Sequence, residues 1–186
     1  MSLSSLKRFA VMLLLTVLVL SAAAGEQVKY VFLFIGDGMS LPQRMLVEEF
    51  CRVNGRKGLA MNALPVQGVT TTYAANAFIT DSAAAGTAIA TGSKTNGGFL
   101  GVDPQGKNLE SVAVVARNNG RKVGILSSVS LDHATPAAFY AHVAGRSDYY
   151  KIATQLLDSK FVFFGGGGLL GEKSEGKPGF FELAKA

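Results

Sequence analysis

Thr80-Asp81-Ser82-Ala83-Ala84-Ala85-Gly86-Thr87-Ala88-Ile89-Ala90-Thr91-Gly92 leaves the backbone few choices. Small residues of high helix propensity follow a capping carboxylate and end at a glycine. The stretch therefore reads as a helix from Ser82, capped by Asp81 or Thr80 and stopped at Gly92. Its short side chains suit close packing against a sheet. Ser82 falls in the first turn, where unpaired N–H groups and the positive end of the helix dipole face outward. That end can receive a phosphate oxygen. A plain Ala-rich packing helix would carry the same sequence, so the surroundings must decide.

The surroundings alternate between strand and helix patterns. Lys29 to Ile35 is a continuous apolar run, predicted as a central strand buried on both faces. It runs into Gly36-Asp37-Gly38-Met39, a carboxylate between two glycines where open α/β sheets bind ligands. Asp37 could also cap a helix over roughly Pro42 to Cys51. Pro65 to Tyr73 alternates as a strand and delivers Ser82. Gly97 to Pro104 has turn chemistry, Asn108 is placed to cap a helix from Leu109 to Asn119, and Lys122 to Ser128 reads as another buried strand. Pro136 suits the first position of a helix reaching about Gly145. Asp132, His133 and Thr135 then lie in the loop before it. A helix over Tyr149 to Leu157, a strand over Phe161 to Phe164, the tetraglycine Gly165 to Gly168 and a helical pattern from Phe180 complete the chain. This succession predicts an α/β fold, layered around a mainly parallel sheet. No internal repeat and no linker between two domains is visible.

Targeting comes from the start of the chain. Lys7 and Arg8 precede the apolar run Phe9 to Leu20, and Ser21 to Gly25 offers small-residue cleavage sites. The run is too short for the ~20 residues of a membrane span. Residues 1–24 therefore read as a secretory signal peptide, with a retained anchor as the alternative, and residues 25–186 as an exported catalytic portion, periplasmic or extracellular. Losing Lys7 and Arg8 lowers the formal charge from +5 to +3. The remaining basic residues are scattered, so no nucleic-acid-binding patch is expected. The single cysteine, Cys51, has no internal disulfide partner and reads as a buried thiol.

Asp37, Ser82 and the His133/Thr135 pair all fall just past strands or at a helix start, positions that converge on one edge of a parallel sheet. A carboxylate, an imidazole and hydroxyls can ligate Zn²⁺ or Mg²⁺. Arg146 offers a fork matched to phosphate. Together they suit a metal-assisted reaction on an anionic substrate.

Four blocks, in order, carry a resemblance. Gly36-Asp37-Gly38-Met39, Thr80 to Ala88, His133-Ala134-Thr135-Pro136-Ala137 and Ala141-His142-Val143-Ala144-Gly145-Arg146 closely resemble alkaline phosphatase. The resemblance runs from about Lys29 to the tetraglycine. It implies a three-layer α/β sandwich with a mainly parallel central sheet, and hydrolysis of phosphate monoesters assisted by zinc and magnesium. By the same resemblance Ser82 is the nucleophile that becomes phosphoserine and also faces zinc. Asp37 bridges one zinc and the magnesium, and Thr135 is a magnesium-site ligand. Arg146 clamps two phosphate oxygens, and Asp81 holds that arginine. His133 stands where the family varies between Asp and His, a softer, neutral ligand for a magnesium site. His142 fits the pattern and reads as structural. Family members are commonly homodimers.

Length is where the chain departs from the resemblance. Members of that family run to more than twice 186 residues, and their later half supplies most zinc ligands. With two histidines in all, this sequence holds no ligand set for two zincs. It is expected to correspond to the N-terminal part of such an enzyme, with an incomplete sheet, and to have little or no activity alone. The alternative is a non-catalytic remnant that binds phosphate or a metal without turnover. A further match, Gly166-Gly167-Gly168-Leu169-Leu170-Gly171, fits the dinucleotide pattern G-x-G-x-x-G but lacks the second strand and terminal acid that should follow.

Overall fold

The computed structural model describes residues 28–185, and the expected signal peptide over residues 1–24 lies outside them. The chain divides into two compact units between Gly36 and Asp37. In the first, residues 28–36 form neither helix nor strand, and Phe32 and Phe34 stack with ring centroids 6.4 Å apart. The predicted strand over Lys29 to Ile35 is thus not formed. A strand exists only through its ladder, and among the described residues the only ladder joins two other segments.

The second unit holds the remaining elements. Helix α1, Leu41–Val53, carries Pro42 in its first turn, where a missing N–H costs nothing, and the Gln43 side chain accepts the Ser40 N–H at 3.1 Å. None of its residues is buried, so Cys51 is half-buried rather than the buried thiol expected. A 3-10 turn follows at Ala60–Ala63. Glu48 of α1 accepts the Leu59 N–H at 2.7 Å and also the Asn62 side chain, which ties that turn back to the helix. The strand predicted over Pro65 to Tyr73 is likewise unformed, with Val66 and Val69 fully in solvent.

Helix α2, Ser82–Thr91, follows the sequence closely. Asp81 is its N-cap, accepting the Ala84 N–H at 3.0 Å, and Gly92 ends it at φ +72. Helix α3, Val112–Asn118, starts later than expected and is capped by Ser111. The competing interaction is local pairing. Asn108 bridges to Val102, and the Leu109 N–H goes to Gly101 O at 2.7 Å, so neither is free to begin a helix.

Strands β1, Gly124–Leu126, and β2, Phe163–Gly165, pair in parallel, Ile125 opposite Phe164. Parallel pairing across the intervening helices agrees with the α/β expectation. Helix α4 spans only Ala134–Ala137. It starts before Pro136 and stops far short of Gly145, because Val143 is drawn into an antiparallel bridge with Leu100, at 2.8 and 2.9 Å. Helix α5, Tyr149–Asp158, is capped by Asp148, and α6 covers Phe180–Leu183. The core gathers Ala83, Ala84, Ala90, Leu100, Ala137 and Ile152, mostly small side chains that let backbones approach closely.

The tetraglycine has a packing explanation. Beyond the β ladder, Gly167 N–H bonds Val129 O and Leu131 N–H bonds Gly168 O, both at 2.9 Å. A side chain on Gly166 would meet Val129 O at 3.0 Å. Glycines here let the strand end lie flat against the segment leading to His133 and Thr135. The dinucleotide pattern does not hold, since no helix opens at Gly171; the next one is α6.

Among the described residues, no helix is long and apolar enough to cross a membrane.

Candidate active site

Asp37 sits in a turn whose next residue, Gly38, takes φ +67, a conformation that favours glycine. The turn presents both carboxylate oxygens to the rest of the second unit. Ser82 Oγ donates to Oδ1 at 3.0 Å and Thr135 Oγ1 donates to Oδ2 at 2.8 Å. One carboxylate therefore gathers two hydroxyls from positions 45 and 98 residues away in sequence.

The small residues of α2 make this convergence possible. Gly86 faces α4 so closely that a methyl group there would sit 3.1 Å from Ala138 Cβ and 3.6 Å from Thr135 Cα. Ala83, Ala84 and Thr87 are buried in the same region. The glycine brings the helix of Ser82 against the helix of Thr135, within reach of a single carboxylate.

On the other side of Ser82, the Asp81 carboxylate has three donors. Oδ1 caps α2 at Ala84, while Oδ2 accepts the Gly98 N–H at 3.2 Å and Arg146 Nη1 at 3.0 Å. Partial burial alone would raise the Asp81 pKa. The N–H groups of Ala84 and Gly98 and the Arg146 guanidinium outweigh it and hold the carboxyl below its ordinary value. Arg146 is placed by the Leu100–Val143 bridge and by its own N–H, which bonds Gly98 O at 2.8 Å. The guanidinium has four further N–H donors available for an anion near the start of α2.

His133 is the N-cap residue of α4, but its side chain makes no capping bond, and buried Nδ1 has no hydrogen-bond partner among the described residues. The loop carrying it is fastened on two sides. Tyr140 donates its hydroxyl to Leu131 O at 2.8 Å, and fully buried Asp132 accepts the Gly171 N–H at 2.7 Å. Burial, and secondarily the Asp132 charge, push the Tyr140 pKa far up, so the phenol stays a donor. His142 is structural in its contacts: Nε2 lies 3.0 Å from Leu109 O, and its backbone pairs with the Gln155 amide.

The donors suit metals unequally. Asp37, Thr135 and Ser82 supply oxygens of the kind Mg²⁺ takes, with the His133 imidazole nearby in sequence. Zinc wants a closed set of nitrogen, sulfur or carboxylate donors. Among the described residues no three His, Cys, Asp or Glu side chains stand together. The set fits the oxygen-rich part of a metal centre and leaves a zinc site unclosed.

The sequence pointed to Asp37, Asp81, Ser82, Thr135 and Arg146, and hydrogen bonds join them in two groups, Asp37 with Ser82 and Thr135, and Asp81 with Arg146, which meet where Asp81 precedes Ser82 in the chain. It does not bring His133 into that network. Gly98 and Asp132 hold this constellation and were not singled out as site residues. The Gly97-Gly98 dipeptide, a turn signal next to a charged cluster, was the available clue.

Comparison with known proteins points to one family. A family model described as alkaline phosphatase matches residues 28–161. The Escherichia coli alkaline phosphatase is 38% identical over 132 residues, covering 68% of this chain and 28% of that enzyme. Alkaline phosphatase 4 of Bacillus subtilis is 44% identical over 96 residues, covering 48% of this chain and 21% of its own length. Among solved structures, a cold-active alkaline phosphatase from a psychrophilic Shewanella superposes with a TM-score of 0.68 at 31% identity, over 75% of this chain and 36% of that one. A variant of the TAB5 alkaline phosphatase, described with Mg bound in its M3 site, gives 0.68 at 30% identity, over 75% and 41%. The matches span about a quarter of the length of the curated relatives.

Proposed function

Because this chain belongs to the alkaline phosphatase family, we propose that it carries the nucleophile and phosphate-gripping residues for hydrolysis of phosphate monoesters. The observation that carries this reading is the Asp37 carboxylate joining Ser82 Oγ at 3.0 Å and Thr135 Oγ1 at 2.8 Å. Ser82 Oγ attacks phosphorus in line with the leaving alcohol. A Ser82–O–P bond forms, the P–O bond to the alcohol breaks, and the alcohol leaves with the proton that Ser82 gives up. Water then attacks phosphoserine, which releases inorganic phosphate and restores the hydroxyl.

Asp37 directs the Ser82 hydroxyl proton away from the phosphate. Arg146, held by Asp81, grips equatorial oxygens, where a phosphoryl transition state spreads its charge. The backbone N–H groups at the start of α2 add to that grip. Asp37, Ser82, Thr135 and His133 are the residues that would hold metal; Mg²⁺ bound there would offset negative charge on the phosphoryl group, while Zn²⁺ would need donors beyond this set. The same reading makes β1 and β2 part of the parallel sheet of a three-layer sandwich and residues 1–24 an export signal.

A second reading is favoured by one observation, the unclosed zinc site among the described residues. On that reading the chain binds phosphate or Mg²⁺ without turnover. The test is p-nitrophenyl phosphate hydrolysis at alkaline pH with added Zn²⁺ and Mg²⁺, comparing the chain with Ser82→Ala. Turnover lost in the variant supports catalysis through Ser82, and equal turnover in both overturns it. Phosphate binding that needs Ser82, with no turnover, favours the second reading.

A further inference from the structure

Gly98 makes no hydrogen bond to Ser82 or Asp37, yet its peptide groups link the two residues that flank the phosphate position. Its N–H donates to Asp81 Oδ2 at 3.2 Å, and its carbonyl accepts the Arg146 N–H at 2.8 Å. Asp81 and Arg146 are themselves joined at 3.0 Å. The three residues form a closed ring in which Gly98 supplies only main-chain groups. Asn96 O accepts the Phe99 N–H at 3.1 Å, which makes residues 96–99 a β-turn. Gly98 is the third residue of that turn, at φ +83, as a type II turn requires. The turn is anchored from outside. Asn76 Oδ1 accepts the Gly97 N–H at 2.9 Å, and buried Thr87 of α2 donates to Phe99 O at 3.3 Å.

We propose that Gly98 is a positioning residue: its left-handed turn conformation sets the Asp81–Arg146 pair at the start of the Ser82 helix. This rests on the phosphatase reading for its consequence, but the geometry can be tested apart from it. With φ at −60 or below, the Gly98 peptide turns and cannot serve both neighbours. Arg146 would then keep Asp81 as a partner without the main-chain bond that fixes where its side chain begins.

The position separates conformation from bulk. A Cβ on Gly98 would meet nothing within 4 Å, so Gly98→Ala adds no clash and acts only through the backbone. Asparagine tolerates the left-handed region better than alanine, so Gly98→Asn serves as the conservative variant. Two quantities are measured on the full chain. The first is hydrogen exchange of the Arg146 backbone amide by NMR, and the second is affinity for inorganic phosphate with Zn²⁺ and Mg²⁺ present, by calorimetry.

In Gly98→Ala the Arg146 amide exchanges faster, because its acceptor, the Gly98 carbonyl, turns away. Phosphate binding weakens about tenfold, because Arg146 is no longer fixed beside the start of α2. Gly98→Asn keeps both near wild type. Unchanged exchange of the Arg146 amide in Gly98→Ala overturns the proposal, even if the melting temperature falls, since the turn would then act on stability alone. Gly98→Asn behaving no better than Gly98→Ala overturns it too. Should Gly98→Ala not fold, Asn76→Ala loosens the same turn through Gly97, and unchanged Arg146 exchange there overturns the proposal as well. A wild-type chain that fails to bind phosphate counts against the phosphatase reading, while the Arg146 exchange still decides the role of Gly98.

Discussion

Gly86 and Ala138 define the spacing between the helix of Ser82 and the helix of Thr135: a methyl group on Gly86 would stand 3.1 Å from the Ala138 Cβ. That separation is tighter than ordinary van der Waals contact. The glycine gives up helix propensity, and what it gains is the approach that lets Asp37 reach both hydroxyls.

Substitution at Gly86 should therefore depend on size. Alanine gains about 1 kcal/mol of helix propensity and loses a comparable amount by crowding Ala138, so Gly86→Ala is expected to be near neutral in urea denaturation. Gly86→Val adds two further carbons and should cost about 1–3 kcal/mol. A stability of Gly86→Val equal to wild type would show that α2 and α4 are not closely packed.

Asp81 should leave a mark on acid stability. Its folded pKa lies below the ordinary carboxylate value of 3.8. The stability it contributes is thus fully present above that ordinary value and is lost as pH falls through the lower, folded one. Asp81→Asn keeps the N-cap, because asparagine caps as well as aspartate, but removes the charge. Urea unfolding between pH 3 and 7 should show a shallower acid decline in the variant. Identical slopes would mean that the Ala84 and Gly98 N–H groups and the Arg146 guanidinium do not together lower the Asp81 pKa.

Asp132 is wholly buried, with one oxygen on the Gly171 N–H at 2.7 Å. Asp132→Ala leaves that donor unpaired and should cost about 1–3 kcal/mol. Gly171→Ala should be worse still, since the new Cβ would run into the Tyr149–Tyr150 backbone. Thermal unfolding of both variants checks this, and wild-type stability for either would contradict the fastening of the His133 loop.

The site was more legible in the sequence than the sheet. Asp81, Ser82 and Gly92 are read locally, because a cap, a first turn and a left-handed stop each depend on a few neighbouring residues. Arg146 and Thr135 were found through short blocks, and the long-range bridges that place them, Leu100 with Val143 and Asp37 with Thr135, leave no trace in local periodicity. The apolar run Lys29 to Ile35 shows the converse limit. Its composition suits a strand, but a strand is completed by partners, and none pairs with it among the described residues. Helix α4 ended early for a similar reason, since pairing at Val143 prevailed over the helical preference of Ala138 and Ala141.

Magnesium should bind through the oxygens around Asp37. Saturating Mg²⁺ at ten times its Kd raises stability by about 1.4 kcal/mol, seen as a higher melting temperature. Asp37→Ala should abolish the rise and Thr135→Val should reduce it. An unchanged rise in Asp37→Ala would place the ion elsewhere.

The central claim is that Ser82 accepts a phosphoryl group, and the most direct measurement is acid-quenched labelling with ³²P-phosphate in the presence of Zn²⁺ and Mg²⁺, followed by peptide mapping. Label is expected on the peptide containing Ser82 in the wild-type chain and none in Ser82→Ala. Label on another residue, or label that persists in Ser82→Ala, would contradict it.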